Sequence, residues 1–384
     1  MIVGVPKEIM PGERRVAATP ETVALMVKDG LTVYVELTAG EGSYYDDEQY
    51  LAAGAKVIAD VAELFAKADV IMKVKEPQFN KEKGLHEVEM MQAGQYLLTF
   101  IHPASPENHE MVKNLAAKGV TAMTLDGIPR ITRAQKMDAL TSMSTCAGYK
   151  GMLMAMDALP VFTPQIFTAV GMLKPIHVLV IGAGVSGLQA IATAKRMGAV
   201  VHTVDIRPEA TEQGQSVGAK VQDLGIPAEV AVGEGGYAKG LSAEWLEKER
   251  EALKKLVVDC DIVFCTALVP NHIAPVLVTE EMVKSMKPGS VIVDVSIDQG
   301  GNCALTVPGE IVKKHGVTIN GLKNLPGLLP TSSTWMFSKN TYECLKYLIK
   351  DGEIQLNQDD EIVQGILTTY NGKVVHQGAL EAMR

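Results

Sequence analysis

An apolar run of strand length, Val178 to Ile181, enters Gly182-Ala-Gly184-Val-Ser-Gly187, and a stretch with helical spacing follows. A second apolar strand then ends in an acid, Asp205, about twenty residues past the last glycine. This is a whole strand–turn–helix–strand unit, and each piece of it has a physical job. Gly182 makes the tight turn, Gly184 lets a pyrophosphate approach the backbone, and Gly187 lets the helix lie close to the sheet. The helix, opening at Val185, points free N–H groups and a partial positive charge at the phosphates. A carboxylate at Asp205, with Ile206 beside it, suits the two hydroxyls of an adenine ribose and repels a 2′-phosphate. NAD(H) is therefore favoured over NADP(H), although Arg207 is a side chain that could accommodate that phosphate.

Around this unit the chain alternates strand and helix patterns from its start. Ile2 to Val5 is strand-like, Thr19-Pro-Glu opens a helix with a cap residue and a proline, and Gly30 stops it. Leu31 to Leu37 has period two; Val70 to Val74, Tyr96 to Ile101 and Val120 to Leu125 are further strands, with helices expected over 59–68 and 106–118. After Asp126 the rhythm breaks into a Met-rich helical stretch over 130–160, with the expected hinge near 130–150. Strands resume at Ile262–Thr266, Val291–Val295 and Val317–Ile319, a helix is expected over 334–348, and a small strand pair flanks Asn371-Gly372. The expected fold class is α/β, with two Rossmann-like, doubly wound parallel-sheet domains and a substrate cleft between them. The first domain is expected at 1–137 plus 330–384, and the NAD(H)-binding domain at 138–329.

Composition narrows the partners. A net charge of −9 argues against nucleic acid and anionic membrane surfaces. The five cysteines include no Cys-x-x-Cys pair, so they read as buried thiols of a reducing compartment, with no disulfide framework and no metal site. No apolar run approaches the roughly 18 residues of a membrane span. The expected location is the cytoplasm.

Six stretches then carry a resemblance along nearly the whole chain. They are Pro129-Arg-Ile-Thr-Arg-Ala-Gln-Lys-Met-Asp138-Ala-Leu, Ala147-Gly-Tyr-Lys, the glycine unit itself, Gly235-Gly-Tyr-Ala-Lys239, Thr266-Ala-Leu-Val-Pro270 and Gly300-Gly-Asn-Cys303. In order and spacing they resemble the soluble NAD(H)-binding component of the proton-translocating nicotinamide nucleotide transhydrogenases. The resemblance implies a homodimer that exchanges hydride between NAD(H) and NADP(H), the latter held on a separate domain III. A membrane domain II, on another chain, would couple the exchange to proton translocation and could hold this protein at the inner membrane. It also implies that Arg130, Gln135 and Asp138 orient the nicotinamide and reach toward the NADP-carrying partner. Thr141 stands where a serine is commoner and keeps the hydroxyl; Lys136 replaces a small residue, which bears on docking. The Gly233–Gly240 stretch, with Gly236 and Tyr237, resembles a mobile loop that folds over the bound cofactor. Thr266, Ala267 and Leu268 would line the cofactor, with Asn324 and Leu325 near the nicotinamide.

The same superfamily includes alanine dehydrogenase, and four positions look like that enzyme. Arg15 and Lys75 match residues that bind a 2-oxo acid, and His102 and Asp298 match the acid–base pair. Transhydrogenases commonly lack the last two. The chemistry is coherent: two cations suit a carboxylate beside a carbonyl, and an imidazole supplies a proton near neutral pH. An Asp at the end of the strand Val291–Val295 would project at the carboxyl edge of the sheet. A plain structural role stays open for each: an ion pair for Arg15, a solvated strand end for Lys75, a strand cap for His102, a turn for Asp298. Two activities therefore remain, a transhydrogenase component and a self-sufficient amino-acid dehydrogenase using a 2-oxo acid and ammonia.

Overall fold

A computed structural model of the chain describes residues 1–233, 238–269 and 273–384. The chain forms two compact units, Met1–Met143 with Pro326–Arg384, and Ser144–Leu325. The sequence-based bounds differ by a few residues. The first turn of the long helix Ala139–Asp157 belongs with the first unit, where Met143 Sδ meets Arg15.

In the first unit the strands are β1 (Ile2–Val5), β2 (Thr32–Glu36), β3 (Lys56–Ile58), β4 (Val70–Met72), β5 (Tyr96–Thr99) and β6 (Thr121–Thr124). They form one parallel sheet in the order β3-β2-β1-β4-β5-β6. The order reverses between β1 and β4, so the switch point lies outside the carboxyl ends of those two strands. Thr19 caps the helix Pro20–Lys28 through a capping box, as the cap-and-proline sequence dictates. The C-terminal segment returns to this unit. Thr368 N–H donates to Ala122 O, and the Thr369 hydroxyl to Val120 O.

In the second unit the strands are β7 (His177–Ile181), β8 (Val200–Val204), β9 (Lys220–Val221), β10 (Ile262–Cys265), β11 (Val291–Asp294), β12 (Ile311–Lys314) and β13 (Val317–Asn320). Their order is β9-β8-β7-β10-β11-β13-β12, parallel except for the edge strand β12. Both faces of the sheet are covered, and the pleat sorts the side chains by period two. Leu179, Ile181, Val263, Cys265 and Ile292 join one core; Val178, Val180, Ile262, Phe264, Val291 and Val293 join the other. All five cysteines are free and buried. Among the described residues no helix is long and apolar enough to cross a membrane.

Some elements differ from their expected form. The 130–160 stretch is a 3-10 segment, Thr132–Met137, followed by the helix Ala139–Asp157. The 106–118 helix begins as a 3-10 turn and becomes α-helical at His109. Strand β4 stops at Met72, where Lys73 turns into a buried ion cluster, and β11 stops at Asp294. A hairpin, Ile166–Thr168 with Gly171–Leu173, is not legible in the sequence.

The returning C-terminal segment meets the first unit through two facing glycines. A Cβ on Gly127 would lie 1.8 Å from Gly365 O, and one on Gly365 would lie 2.2 Å from Gly127 O. Neither backbone can yield without moving the helix Glu361–Ile366. Gly127→Ala should therefore cost about 3 kcal/mol of stability, the range of an overpacked backbone contact. Urea titration checks it, and an unchanged midpoint would refute the close approach.

Candidate nucleotide-binding and catalytic site

The glycine unit of the second unit folds as its sequence requires. Gly182 sits at φ +94°, the left-handed region open to glycine. A Cβ there would press on Thr266 O at 2.9 Å, and one on Gly187 would lie 1.9 Å from Gly182 O. Gly184 is different, because a Cβ there would meet nothing within 4 Å. Steric exclusion by the protein thus explains two of the three glycines; among the described residues no atom fills the space at Gly184. The helix Val185–Arg196 starts at Gly184 with no side-chain cap, so its first-turn N–H groups lack an intrahelical acceptor. The Ser186 hydroxyl is buried and has no hydrogen-bond partner among the described residues. An uncapped helix start, an open glycine and an orphaned hydroxyl fit an anionic pyrophosphate.

Asp205 stands at the carboxyl end of β8, its carboxylate 5 % exposed. It accepts from Ala183 N–H at 2.8 Å, and Arg207 grips it through Nε at 2.9 Å and Nη2 at 2.8 Å. The acid thus orders the glycine turn while Arg207 neutralises it. Ile206 packs into the core beside them.

The loop after β10 is held by Asn302, the asparagine of Gly300-Gly-Asn-Cys303. Asn302 is fully buried. Its Oδ1 accepts from Ala267 N–H, and its Nδ2 donates to Ala267 O and Pro275 O, each at 2.9 Å. Asp294 fixes Asn302 in turn, accepting from Asn302 N–H, Cys303 N–H and the Thr306 hydroxyl. This explains Gly300-Gly-Asn-Cys303: Gly300 and Gly301 take φ +105° and +84° to bring Asn302 under the loop. Thr266 and Ala267 are half-buried and Leu268 is exposed. Similarly, Ala147-Gly-Tyr-Lys owes its glycine to packing, since a Cβ on Gly148 would lie 2.1 Å from Ser186 O. Asn324 takes φ +55°, whereas the Leu325 side chain is 3 % exposed and belongs to the core beside Gly151. Gly236 and Tyr237, with Pro270, lie outside the described residues.

In the first unit the Pro129–Thr141 stretch is clamped from behind. Arg133 bonds Asp360 and Glu361, each at 3.0 Å, and Asn340 Nδ2 donates to Lys136 O at 2.8 Å. Asp138 caps the following helix, taking Thr141 N–H at 2.8 Å and the Thr141 hydroxyl at 2.6 Å. Arg130, Gln135 and Lys136 are exposed on the clamped loop. The hydroxyl at Thr141 therefore serves Asp138.

A charge cluster occupies the switch point of the same unit. Lys73, immediately past β4, is fully buried, with its Nζ 2.9 Å from Glu87 Oε1 and 3.4 Å from Glu8 Oε2. Burial pushes the Glu8 carboxyl up to about 7 against the pull of Lys73. For Lys73 burial opposes the charge, but Glu8 and Glu87 outweigh it and its pKa rises. In the sequence Lys75 stands out and Lys73 does not. A Lys-x-Lys pair at a strand end is the available signal, but its acid partners are remote in sequence.

His102 lies three residues past β5 at φ +49°, a strained conformation for a non-glycine residue. Asp126, just past the neighbouring strand β6, holds it there. Asp126 accepts from His102 N–H at 2.8 Å and from Ile101 N–H at 3.2 Å, and its Oδ1 is 2.7 Å from His102 Nδ1. The Thr124 hydroxyl also donates to this carboxylate. Burial opposes ionisation of both groups. The mutual attraction outweighs it, raising the His102 pKa and lowering that of Asp126 to about 2. The Lys75 charge acts on His102 and works against that rise. Arg15 is not offered to a ligand in the same way. It is buried, with Nε at 2.7 Å and Nη2 at 2.6 Å from the Glu13 carboxylate. Asp298 is not at a strand end: β11 stops at Asp294, and Asp298 sits in the 3-10 turn Val295–Gln299, 63 % exposed and 3.8 Å from Lys323. The cause is Asp294, which turns back to hold Asn302.

Comparison with known proteins agrees with this geometry. The alanine dehydrogenase/PNT N-terminal domain matches residues 4–147, and the C-terminal domain of that family matches residues 151–377. A protein of Rhodospirillum rubrum named as the first portion of an NAD(P) transhydrogenase alpha subunit is 42 % identical over 98 % of both chains. An alanine dehydrogenase of Methanococcus maripaludis is 33 % identical, covering 100 % of this chain and 96 % of that one. The crystal structure of a transhydrogenase from Sinorhizobium meliloti superimposes with a TM-score of 0.84 at 35 % identity, covering 98 % of this chain and 99 % of that one.

The Asp126–His102 pair has a testable consequence. A raised His102 pKa means the imidazolium contribution is full below the unfolded pKa and is lost as pH rises through the folded one. The depressed Asp126 pKa acts at the other end: its contribution is present above its unfolded pKa and is lost as pH falls through about 2. The pair therefore stabilises between those limits. In an NMR titration His102 should titrate above the ordinary histidine range, and Asp126→Asn should bring it below. A His102 signal that Asp126→Asn leaves unmoved would contradict the pairing.

Proposed function

The chain belongs to the alanine dehydrogenase/PNT family, an oxidoreductase family using nicotinamide cofactors, and we propose that it is the NAD(H)-binding component of a transhydrogenase, exchanging hydride with NADP(H) on a partner subunit. What supports this reading over the dehydrogenase is the Pro129–Thr141 loop, clamped by Arg133 and Asn340 with Arg130 and Gln135 at its surface. The higher identity to a transhydrogenase alpha subunit than to an alanine dehydrogenase points the same way.

When bound, the nicotinamide supplies the hydride chemistry; the residues of the chain bind and orient it. The first-turn N–H groups of Val185–Arg196 and the Ser186 hydroxyl would hold the pyrophosphate, and Asp205 would face the adenine ribose. Asn302 keeps Thr266–Leu268 rigid against the cofactor. Arg130, Gln135 and Asp138 would steer the nicotinamide and dock the NADP-carrying domain. A membrane domain on another chain would couple the exchange to protons and place this protein at the membrane. A second copy of the chain is the proposed occupant of the hairpin face, where Phe167 is 76 % and Val170 98 % exposed. Sedimentation equilibrium should give the dimer mass, and a monomer mass would exclude that assembly.

A second reading is supported by one observation, the Asp126-held His102 within reach of the Lys75 charge. That pair suits proton transfer to a small 2-oxo acid, which hydride exchange between two nicotinamides does not need. Arg15, gripped by Glu13, counts against it.

One set of assays separates the two. Mixed with a partner domain loaded with NADPH, the chain should transfer its hydride to an oxidised NAD analogue, followed by absorbance. Gln135→Ala should slow exchange about a hundredfold through lost orientation while NADH affinity holds. No exchange with a competent partner would refute the first reading. NADH oxidation by pyruvate and ammonium with the chain alone, abolished by His102→Ala, would establish the second.

A further inference from the structure

Thr132–Met137 is a 3-10 segment of six residues, which is long for this tighter and less favourable helix. Its side chains suit a turn of three residues. Ile131 is half-buried, Ala134 fully buried and Met137 5 % exposed, each three positions from the last, whereas Gln135 and Lys136 are exposed. An α-helix starts directly behind the segment, at Ala139. Something must therefore stop that helix from running back through Gln135.

Two side chains do so. The Asp138 carboxylate takes Thr141 N–H and caps the helix at its own position. Asn340, on the helix Pro330–Leu348, holds the carbonyl that backward winding would use: its Nδ2 donates to Lys136 O at 2.8 Å. In a continued α-helix Lys136 O would instead accept from Leu140 N–H, four residues on. This arrangement has a cost. Asn340 is 7 % exposed, and its buried Oδ1 has no hydrogen-bond partner among the described residues. Only the Nδ2 side of the amide can donate to a carbonyl, so the bond to Lys136 fixes its orientation and leaves Oδ1 unmet. Stability alone would not select a buried amide satisfied on one side, and a role in holding the loop accounts for it. Arg133 anchors the opposite end through Tyr347, Asp360 and Glu361.

We propose that Asn340 is a positioning residue of hydride exchange, keeping Thr132–Met137 in its 3-10 form and so setting the direction in which Gln135 is presented. Winding the segment to the α-helical turn would rotate Gln135 and take Ala134 and Met137 off their common buried face. The inference rests on the transhydrogenase reading above. It adds to that reading a residue that acts only through the loop.

The test compares the full chain as wild type, Asn340→Leu, Asn340→Ala, Gln135→Ala and the double variant Asn340→Leu with Gln135→Ala. Leucine keeps the side-chain volume, and alanine serves as a second donor-free variant with no bulk to repack. Exchange is measured with an NADPH-loaded partner domain and an oxidised NAD analogue, and NADH affinity by calorimetry. Both Asn340 variants should lower kcat of exchange about tenfold through lost orientation. Their Kd for NADH should stay within about twofold of wild type. Amide hydrogen exchange at Leu140 should slow in both, because Lys136 O becomes free to accept that N–H. The double variant should be no slower than Gln135→Ala, since Asn340 acts through Gln135. Wild-type exchange in both Asn340 variants, an unchanged Leu140 amide, or a double variant about tenfold slower than Gln135→Ala would overturn the proposal. Absence of exchange by wild type would overturn the transhydrogenase reading itself.

Discussion

The turn between β7 and its helix can exist only if two of its positions lack side chains. Gly182 and Gly187 are demanded by the protein, because their Cβ atoms would strike Thr266 O and Gly182 O. Among the described residues nothing demands Gly184. Once the two protein-facing glycines let the helix close on the sheet, its uncapped amino end is held at the carboxyl edge. Ala183 is tied there to Asp205, and the β10 loop is tied to Asn302. The whole edge of the second unit is a scaffold for one open position.

The first unit is built around charge. Its sheet reverses order between β1 and β4, and there Lys73 is buried between Glu8 and Glu87. Two acids and one base leave a buried excess of negative charge, and Glu8 answers by holding its proton to about pH 7. Further along the same edge Asp126 forces His102 into a left-handed backbone. Breaking a buried pair such as Lys73 and Glu87 costs more than the pair contributes, which suits a role in fixing positions. Such an arrangement keeps Lys75 and His102 in place whichever activity the molecule performs.

Much of this is legible in the residues. The period-two strands, the Thr19-Pro20 helix start and the glycine unit with Asp205 follow local rules, and each falls where those rules put it. Long-range partners are not legible. Glu8 and Glu87 reach Lys73 from remote segments, so nothing local contradicts a solvated strand-end lysine. Asp298 reads as a strand-end residue because Val291–Val295 is one apolar run; the early stop at Asp294 depends on its bond to Asn302, a contact that no local pattern announces. Leu325 resembles a cofactor contact in sequence but is a core residue. The hairpin through Phe167 and Val170 has no polar turn pair to mark it.

The central claim is that the space at Gly184 belongs to the pyrophosphate of a nicotinamide nucleotide. Calorimetric titration of Gly184→Val with NADH tests it most directly, because a Cβ there meets no atom of the described residues within 4 Å. Wild type should bind NADH, and the variant should keep its Tm while losing at least about a hundredfold in affinity. NADH affinity equal in the two proteins would contradict the claim.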